Sequence, residues 1–270
     1  EHVPPLLVVA LRLSIATALL APWLALRAPH KLKLERRDVG YLLILGLAGV
    51  AAVQGTYYYS IAVLGVGLAI LIQYLAPSLM VLLDVVGGVR VSGVTLLSVA
   101  AALLGTALLV GNVDRSTIHA APWQWGVSLL SAVVFAFYVT YSKRGLARYA
   151  PETILFYTFL IAGVFWLIIT PPWVIMAQHY SPRLWGMFLL LGIFSTLAPF
   201  SLFYAGLRHL PATEAGIVAT FEPVIAMLSA ALVLGESLSG WQWLGALLVL
   251  TASIVASRQA PQVIEAHAER

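Results

Sequence analysis

TYYYSIAVLGVGLAILIQYLAPSLMVLL, residues 56–83, falls in register with PFSLFYAGLRHLPATEAGIVATFEPVIAMLSA, residues 199–230, and this correspondence decides the fold. Tyr58 lies on Tyr204, Ala69 on Ala215 and Pro77 on Pro223, a constant offset of 146 positions. After one single-residue indel, Gly88 lies on Gly235, Ser92 on Ser239 and Gly93 on Gly240, an offset of 147. Two apolar segments share some identity by composition alone, but registered prolines and a registered Ser-Gly after a glycine require more than composition. Neither stretch alternates apolar and polar residues, so neither reads as a strand of a transmembrane barrel.

Composition extends this reading to the whole chain. Of its 270 residues 61% are apolar and 10% charged, against about 25% charged in soluble domains. Twenty-six charges cannot wet a 29.1 kDa particle, so lipid takes the place of water, as the mean hydropathy of +0.95 also indicates. Apolar runs bounded by charge, Pro or Gly place nine spans, A to I, at 6–26, 39–62, 66–86, 92–111, 123–142, 152–172, 183–205, 212–234 and 240–257. With no cysteine there is no disulfide, no Cys-ligated metal and no thiol nucleophile.

Lys and Arg are retained in cytoplasmic loops. Arg27, Lys31, Lys33, Arg36, Arg37, Arg90, Lys143, Arg144, Arg148, Arg208, Arg258 and Arg270 fall on one face of the nine-span arrangement, and only Arg115 and Arg183 on the other. That asymmetry predicts a cytoplasmic C-terminus in a multi-pass inner or plasma membrane protein. It also displaces a nucleic-acid reading of the basic pI, because the basic residues sit in short loops. Spans B, C and D match G, H and I, so A is expected to match F, leaving E without a partner. A preceding span is therefore expected, making ten in all.

A repeat of five helices is odd-numbered, so its two copies are expected to cross the bilayer in opposite senses. This is the inverted-repeat design of secondary transporters. The expected organisation is a first repeat at 1–111, an outer linker at 112–122, a second repeat at 123–257 and a cytoplasmic tail at 258–270. The fold class is an all-α polytopic membrane bundle.

Several short motifs carry a resemblance over essentially the whole chain. They are Ala10-Leu11-Arg12 after Pro4-Pro5, Leu210-Pro211-Ala212, Glu222-Pro223-Val224, and Gly235-Glu236 before a Gly-rich final helix. The pattern resembles EamA-type members of the drug/metabolite transporter superfamily, which have ten helices in two inverted five-helix copies. The resemblance implies export of amino acids, related metabolites or drugs. The chain departs from the pattern in lacking the first helix and in having Gly88-Val89-Arg90 where the second copy has Gly235-Glu236.

Ionisable groups at membrane depth cost about 2.5–3.5 kcal/mol each on insertion scales, which makes them functional candidates. Glu222 lies near the middle of span H, where desolvation is expected to raise its pKa and let it exchange a proton during transport. The bland alternative is a neutral Glu that locks packing. Arg12 is expected to snorkel to the outer interface, the alternatives being attraction of a substrate carboxylate or phosphate, or pairing with Glu222. Asp84 is expected to reach headgroups or Arg90, and Glu214 to complement the helix dipole. His179 and His209 have no ligand partner at i+3 or i+4, so no metal is expected.

Gln54, Tyr58 and Ile61 on span B, and Gln73, Pro77 and Asp84 on span C beside Tyr74, fall at i, i+4, i+7-type spacings. Such stripes are expected to line a cavity. Tyr57, Tyr58, Tyr74 and Tyr138 would suit an aromatic or amphipathic substrate, or belong to interfacial belts. Pro77 and Pro223 each remove an i to i−4 hydrogen bond, freeing the carbonyls of Gln73 and Ala219. Paired breaks in two copies mark a transport site, and spans C and H are expected to be the moving gates.

The leading function is thus a secondary transporter taking a small-molecule substrate by alternating access, with proton coupling through Glu222. No P-loop suggests ATP drive, and no cofactor is implied. An intramembrane enzyme would need a nucleophile or metal constellation, and no G-x-S-x-G or H-E-x-x-H occurs. A passive scaffold would have no use for Glu222 and paired prolines at such depth.

Overall fold

The computed structural model describes residues 3–111, 120–234 and 239–268. Glu1, Arg270, Arg115 with most of the 112–122 linker, and the Gly235-Glu236 motif lie outside the described residues. All regular structure among the described residues is helical, and eight helical stretches are long and apolar enough to cross a bilayer. One of these, Arg36–Val86, has 51 residues, far more than the ~20 that one crossing needs. It is divided at Gly65, whose φ of 79° and ψ of 164° suit a residue without Cβ. Its two parts correspond to spans B and C, so the described residues contain all nine expected spans.

The helices are α1 (Pro5–Arg27), α2 (Val39–Ile44), α3 (Ala52–Gln73), α4 (Ala76–Val86), α5 (Gly93–Val110), α6 (Pro122–Leu146), α7 (Pro151–Ile169), α8 (Pro172–Ala177), α9 (Pro182–Gly192), α10 (Ala198–His209), α11 (Ala212–Ala219), α12 (Glu222–Leu234) and α13 (Gly240–Ala268). Two wider, π-type turns interrupt them, at Leu45–Ala51 and Ile193–Leu197. The starts are legible locally. Proline stands in the first turn of α1, α4, α7, α8 and α9, where its missing N–H has no intrahelical partner to lose. Ser92 and Ser181 cap α5 and α9 by accepting from the Thr95 and Leu184 amides, a common N-terminal device.

The chain divides into two compact units, unit 1 formed by Glu1–Tyr58 with Tyr141–Arg208 and unit 2 by Tyr59–Thr140 with His209–Arg270. Each unit therefore draws on both halves of the sequence. Without a hydrophobic force between helices in lipid, close approach over small residues does the packing. In unit 1, a Cβ on Gly46 would lie 2.6 Å from Ile161, one on Gly55 2.8 Å from Trp166, and one on Gly192 2.5 Å from Ile15. In unit 2, α5 and α13 cross where a Cβ on Gly105 would stand 2.7 Å from the Gly245 carbonyl oxygen, and the converse distance is 2.6 Å.

The loop after α1 is strapped to the start of α7 within unit 1. Lys31 pairs with Glu152 at 3.1 Å, Thr153 donates to the Lys31 carbonyl and Tyr157 to that of Leu32. Buried Asp38 accepts from Arg148 at 3.0 Å and from the Tyr149 hydroxyl at 2.7 Å. Loss of solvation, and then the bond to Asp38, hold the Tyr149 phenol above its ordinary range.

Candidate functional site

Two helix breaks in unit 2 form the centre of the site. The run after Gly65 stops at Gln73 and restarts as α4 at Ala76, while α11 stops at Ala219 and α12 restarts at Glu222. The interruptions fall on Tyr74-Leu75 and Thr220-Phe221, which are the same 146 positions apart as Pro77 and Pro223. One tight turn matches as well: Leu75 N–H donates three residues back to the Ile72 carbonyl at 3.1 Å, and Phe221 N–H to Val218 at 3.0 Å. At the preceding position the two copies differ, because Tyr74 N–H keeps a helical bond to Ile70 at 3.0 Å while Thr220 N–H tightens onto Ile217 at 3.1 Å. Sequence reading expected two bends, whereas the chain makes two interruptions with fresh helix starts. The expected stripe from Gln73 to Pro77 therefore does not lie on one continuous helix face.

The breaks meet. The hydroxyl of buried Tyr74, in the first break, donates to Glu222 Oε2 at 2.9 Å, in the second. A Cβ on Gly216 would lie 2.3 Å from Met80 and 3.5 Å from Pro77, so α11 also crosses α4 at close range. Pro77 and Pro223 are both buried. Glu222 is exposed on the protein surface. Its position in the first turn of α12 sets its charge against the positive end of that helix. Gln73 Oε1 and Ser78 Oγ are buried with no hydrogen-bond partner in the structure, so acceptors concentrate around this junction.

Two further acids lie in unit 2. Asp84 accepts from the Thr213 hydroxyl at 2.7 Å, so it is tied to α11 instead of reaching headgroups or Arg90. Glu214 is in the first turn of α11, as expected, but buried. Tyr138 is buried in α6, with the Phe135 ring centroid 6.1 Å away.

Unit 1 contains Arg12, and the structure corrects its expected snorkelling. The residue is 7% exposed. Its Nε donates to Thr196 Oγ1 at 2.7 Å, Nη2 to the Ser195 carbonyl at 3.0 Å and Nη1 to the Tyr58 hydroxyl, and its guanidinium stands 5.5 Å from the Tyr58 ring centroid. The Ser195 carbonyl is available for a physical reason. Pro199 has no N–H, so the acceptor four residues earlier loses its helical donor, the helix widens to a π-type turn over Ile193–Leu197, and Arg12 fills the vacancy. Thr196 in turn donates to the Leu191 carbonyl at 3.2 Å.

The predicted site residues thus separate. Arg12, Gln54 and Tyr58 belong to unit 1; Gln73, Tyr74, Tyr138, Glu222, Pro77 and Pro223 belong to unit 2. The structure joins Arg12 to Tyr58 and Tyr74 to Glu222. Sequence reading missed Ser195 and Thr196, although a polar pair four and three residues before Pro199 in an apolar run was a usable signal. It also missed Thr213 beside Asp84, which no local pattern announces.

Comparison with known proteins agrees with this architecture. The EamA-like transporter family matches residues 1–111 and 124–258. The chain is 30% identical over 228 residues to the uncharacterized inner membrane transporter YicL of Salmonella typhimurium, covering 83% of this chain and 74% of that one. It is 26% identical over 264 residues to the threonine/homoserine exporter RhtA of Salmonella typhimurium, covering 95% and 84%, and 27% identical over 255 residues to RhtA of Escherichia coli, covering 93% and 79%. A solved crystal structure of a protein matches with a TM-score of 0.75 at 21% identity, covering 97% of this chain and 90% of the other, a likeness of fold. With nine apolar spans, two registered helix breaks and a family match over both halves, this multi-pass membrane protein belongs to the EamA-like transporter family of the drug/metabolite transporter superfamily.

Proposed function

We propose that the chain is a secondary transporter of the inner or plasma membrane that exports a small amino acid or a related metabolite by alternating access, with proton exchange at Glu222. The observation that carries this reading is the meeting of the two breaks through Tyr74 and Glu222. Interrupted helices in matching places of two copies are the usual seat of substrate and coupling-ion binding in carriers with inverted repeats. The repeats at 1–111 and 123–257 are taken to cross the bilayer in opposite senses, and the basic loops to lie in the cytoplasm with the C-terminus.

An ionised carboxylate facing lipid at mid-span would be costly, so an exposed Glu222 fits a water-accessible route better than a lipid face. Such a group can gain and lose a proton between the two sides. The break leaves the turn residues short of regular backbone bonds, which lets α4 and α12 move relative to the helices that precede them. The relatives described as threonine/homoserine exporters support a small, hydroxylated amino acid as the solute.

Proton-driven uptake of radiolabelled L-threonine into everted membrane vesicles tests the reading. Wild-type chain is expected to accumulate threonine under an inside-acid gradient, and Glu222→Gln to lose the dependence on that gradient. Gradient-driven transport that survives Glu222→Gln unchanged would remove the proton role, and no transport of any small amino acid would remove the substrate class.

A further inference from the structure

A second group of polar side chains lies in unit 1. Around the contact of α1, α3 and α7, three buried polar atoms have no hydrogen-bond partner: Ser14 Oγ, Gln54 Nε2 and Trp166 Nε1. Gln54 and Trp166 are each 6% exposed. Packing brings their elements together. A Cβ on Gly163 would sit 3.7 Å from the Ser14 amide nitrogen, and one on Gly55, next to Gln54, would sit 2.8 Å from the Trp166 ring. Gly163 and Trp166 are i, i+3 neighbours on one face of α7. Gln54 and Tyr58 are i, i+4 neighbours on α3, and Tyr58 accepts from Arg12.

All three orphaned groups can donate a hydrogen bond, and the indole and the amide nitrogen can do nothing else. Burying a donor without an acceptor is unfavourable, so three such groups in unit 1 call for an acceptor, and the charge of the buried Arg12 guanidinium favours a negative one. We propose that Ser14, Gln54 and Trp166, in the field of Arg12, bind the carboxylate of the transported solute. This inference rests on the carrier reading for the identity of the solute, and adds to it the group that is recognised and the residues that recognise it. A planar carboxylate offers two oxygens and about four lone-pair sites, which suits donors approaching from three helices. An ammonium group, which only donates, would leave the donors unanswered.

The experiment compares L-threonine with L-threoninamide, which keeps the skeleton but not the anionic group, on purified full-length chain in lipid nanodiscs. Tryptophan fluorescence and thermal unfolding are both read. Threonine is expected to change the fluorescence, Trp166→Phe to abolish that change, and threoninamide and Gln54→Leu each to weaken binding by roughly tenfold or more. In the absence of solute, Gln54→Leu is expected to unfold at higher temperature than wild type, because it removes an orphaned donor and keeps the bulk. A purely structural role predicts the reverse shift. Equal binding of acid and amide, a fluorescence response that survives Trp166→Phe, or no response to threonine would overturn the inference. Threonine transport without a carboxylate-dependent response sinks this site and leaves the carrier standing, while such a response without transport does the opposite.

Discussion

Unit 1 encloses its membrane-depth charge, whereas unit 2 leaves its own in the open. Arg12 is held from three directions, by Thr196, Ser195 and Tyr58, and its fork repairs a backbone carbonyl that Pro199 released. Glu222 has the Tyr74 hydroxyl as a partner and is otherwise exposed. Both sites use a proline to free a carbonyl inside the membrane, but with different results. In unit 1 a long side chain satisfies the freed group and the helix continues through a π-type turn. In unit 2 the chain stops and starts again, so the strain is released as a joint. The comparison teaches that a carbonyl released by proline can be closed by a buried, multiply bonded charge or left as a break between two helices, beside which a carboxylate stays exposed.

The largest expected effect comes from breaking the closed side. Arg12→Ala should lower stability by about 3 kcal/mol, because it removes charge-assisted hydrogen bonds and strands their buried acceptors, and thermal unfolding in detergent would show it. Arg12→Lys should recover less than half, since an ammonium cannot reproduce the planar fork. A loss below about 1 kcal/mol for Arg12→Ala would erase the contrast between the units.

Next in size is the functional side. Glu222→Gln should reduce proton-driven transport about tenfold, roughly 1.4 kcal/mol in the barrier, while changing the unfolding midpoint by an amount equivalent to no more than about 0.5 kcal/mol, as expected for an exposed position. A large loss of stability in this variant would move Glu222 into the same class as Arg12. Tyr74→Phe deletes one hydroxyl and should cost about 1 kcal/mol, with the pH dependence of transport shifted and maximal transport retained. A comparison of pH–rate profiles separates the two effects. The smallest change is predicted for Pro199→Ala. It returns an N–H to the Ser195 carbonyl and takes that acceptor from Arg12, so the terms offset to within about 0.5 kcal/mol. Slower amide exchange around residue 199 would report the regained helical bond.

The boundary between spans B and C and the registered proline interruptions were legible, because each depends on residues close in sequence. Arg12 was misread for the opposite reason. A residue six positions inside a helix can reach the interface if nothing captures it, and its captors, Ser195 and Thr196, lie more than 180 positions away. Glu222 falls near the middle of its span, but position along a span does not say whether a side chain faces neighbours or open space.

The amino-acid sequence alone determined that the chain crosses a membrane about nine times, where each crossing begins, and that two prolines 146 residues apart interrupt matching helices. Hydropathy, proline and glycine act locally, and a repeat is visible without coordinates. Only the tertiary structure decided which polar groups meet: Tyr74 with Glu222, Arg12 with the π-type turn, and three donors left without acceptors. Those outcomes depend on how helices far apart in the chain pack at distances of a few ångströms, and in lipid, where every face of a helix is apolar, no period in the sequence specifies which face turns inward.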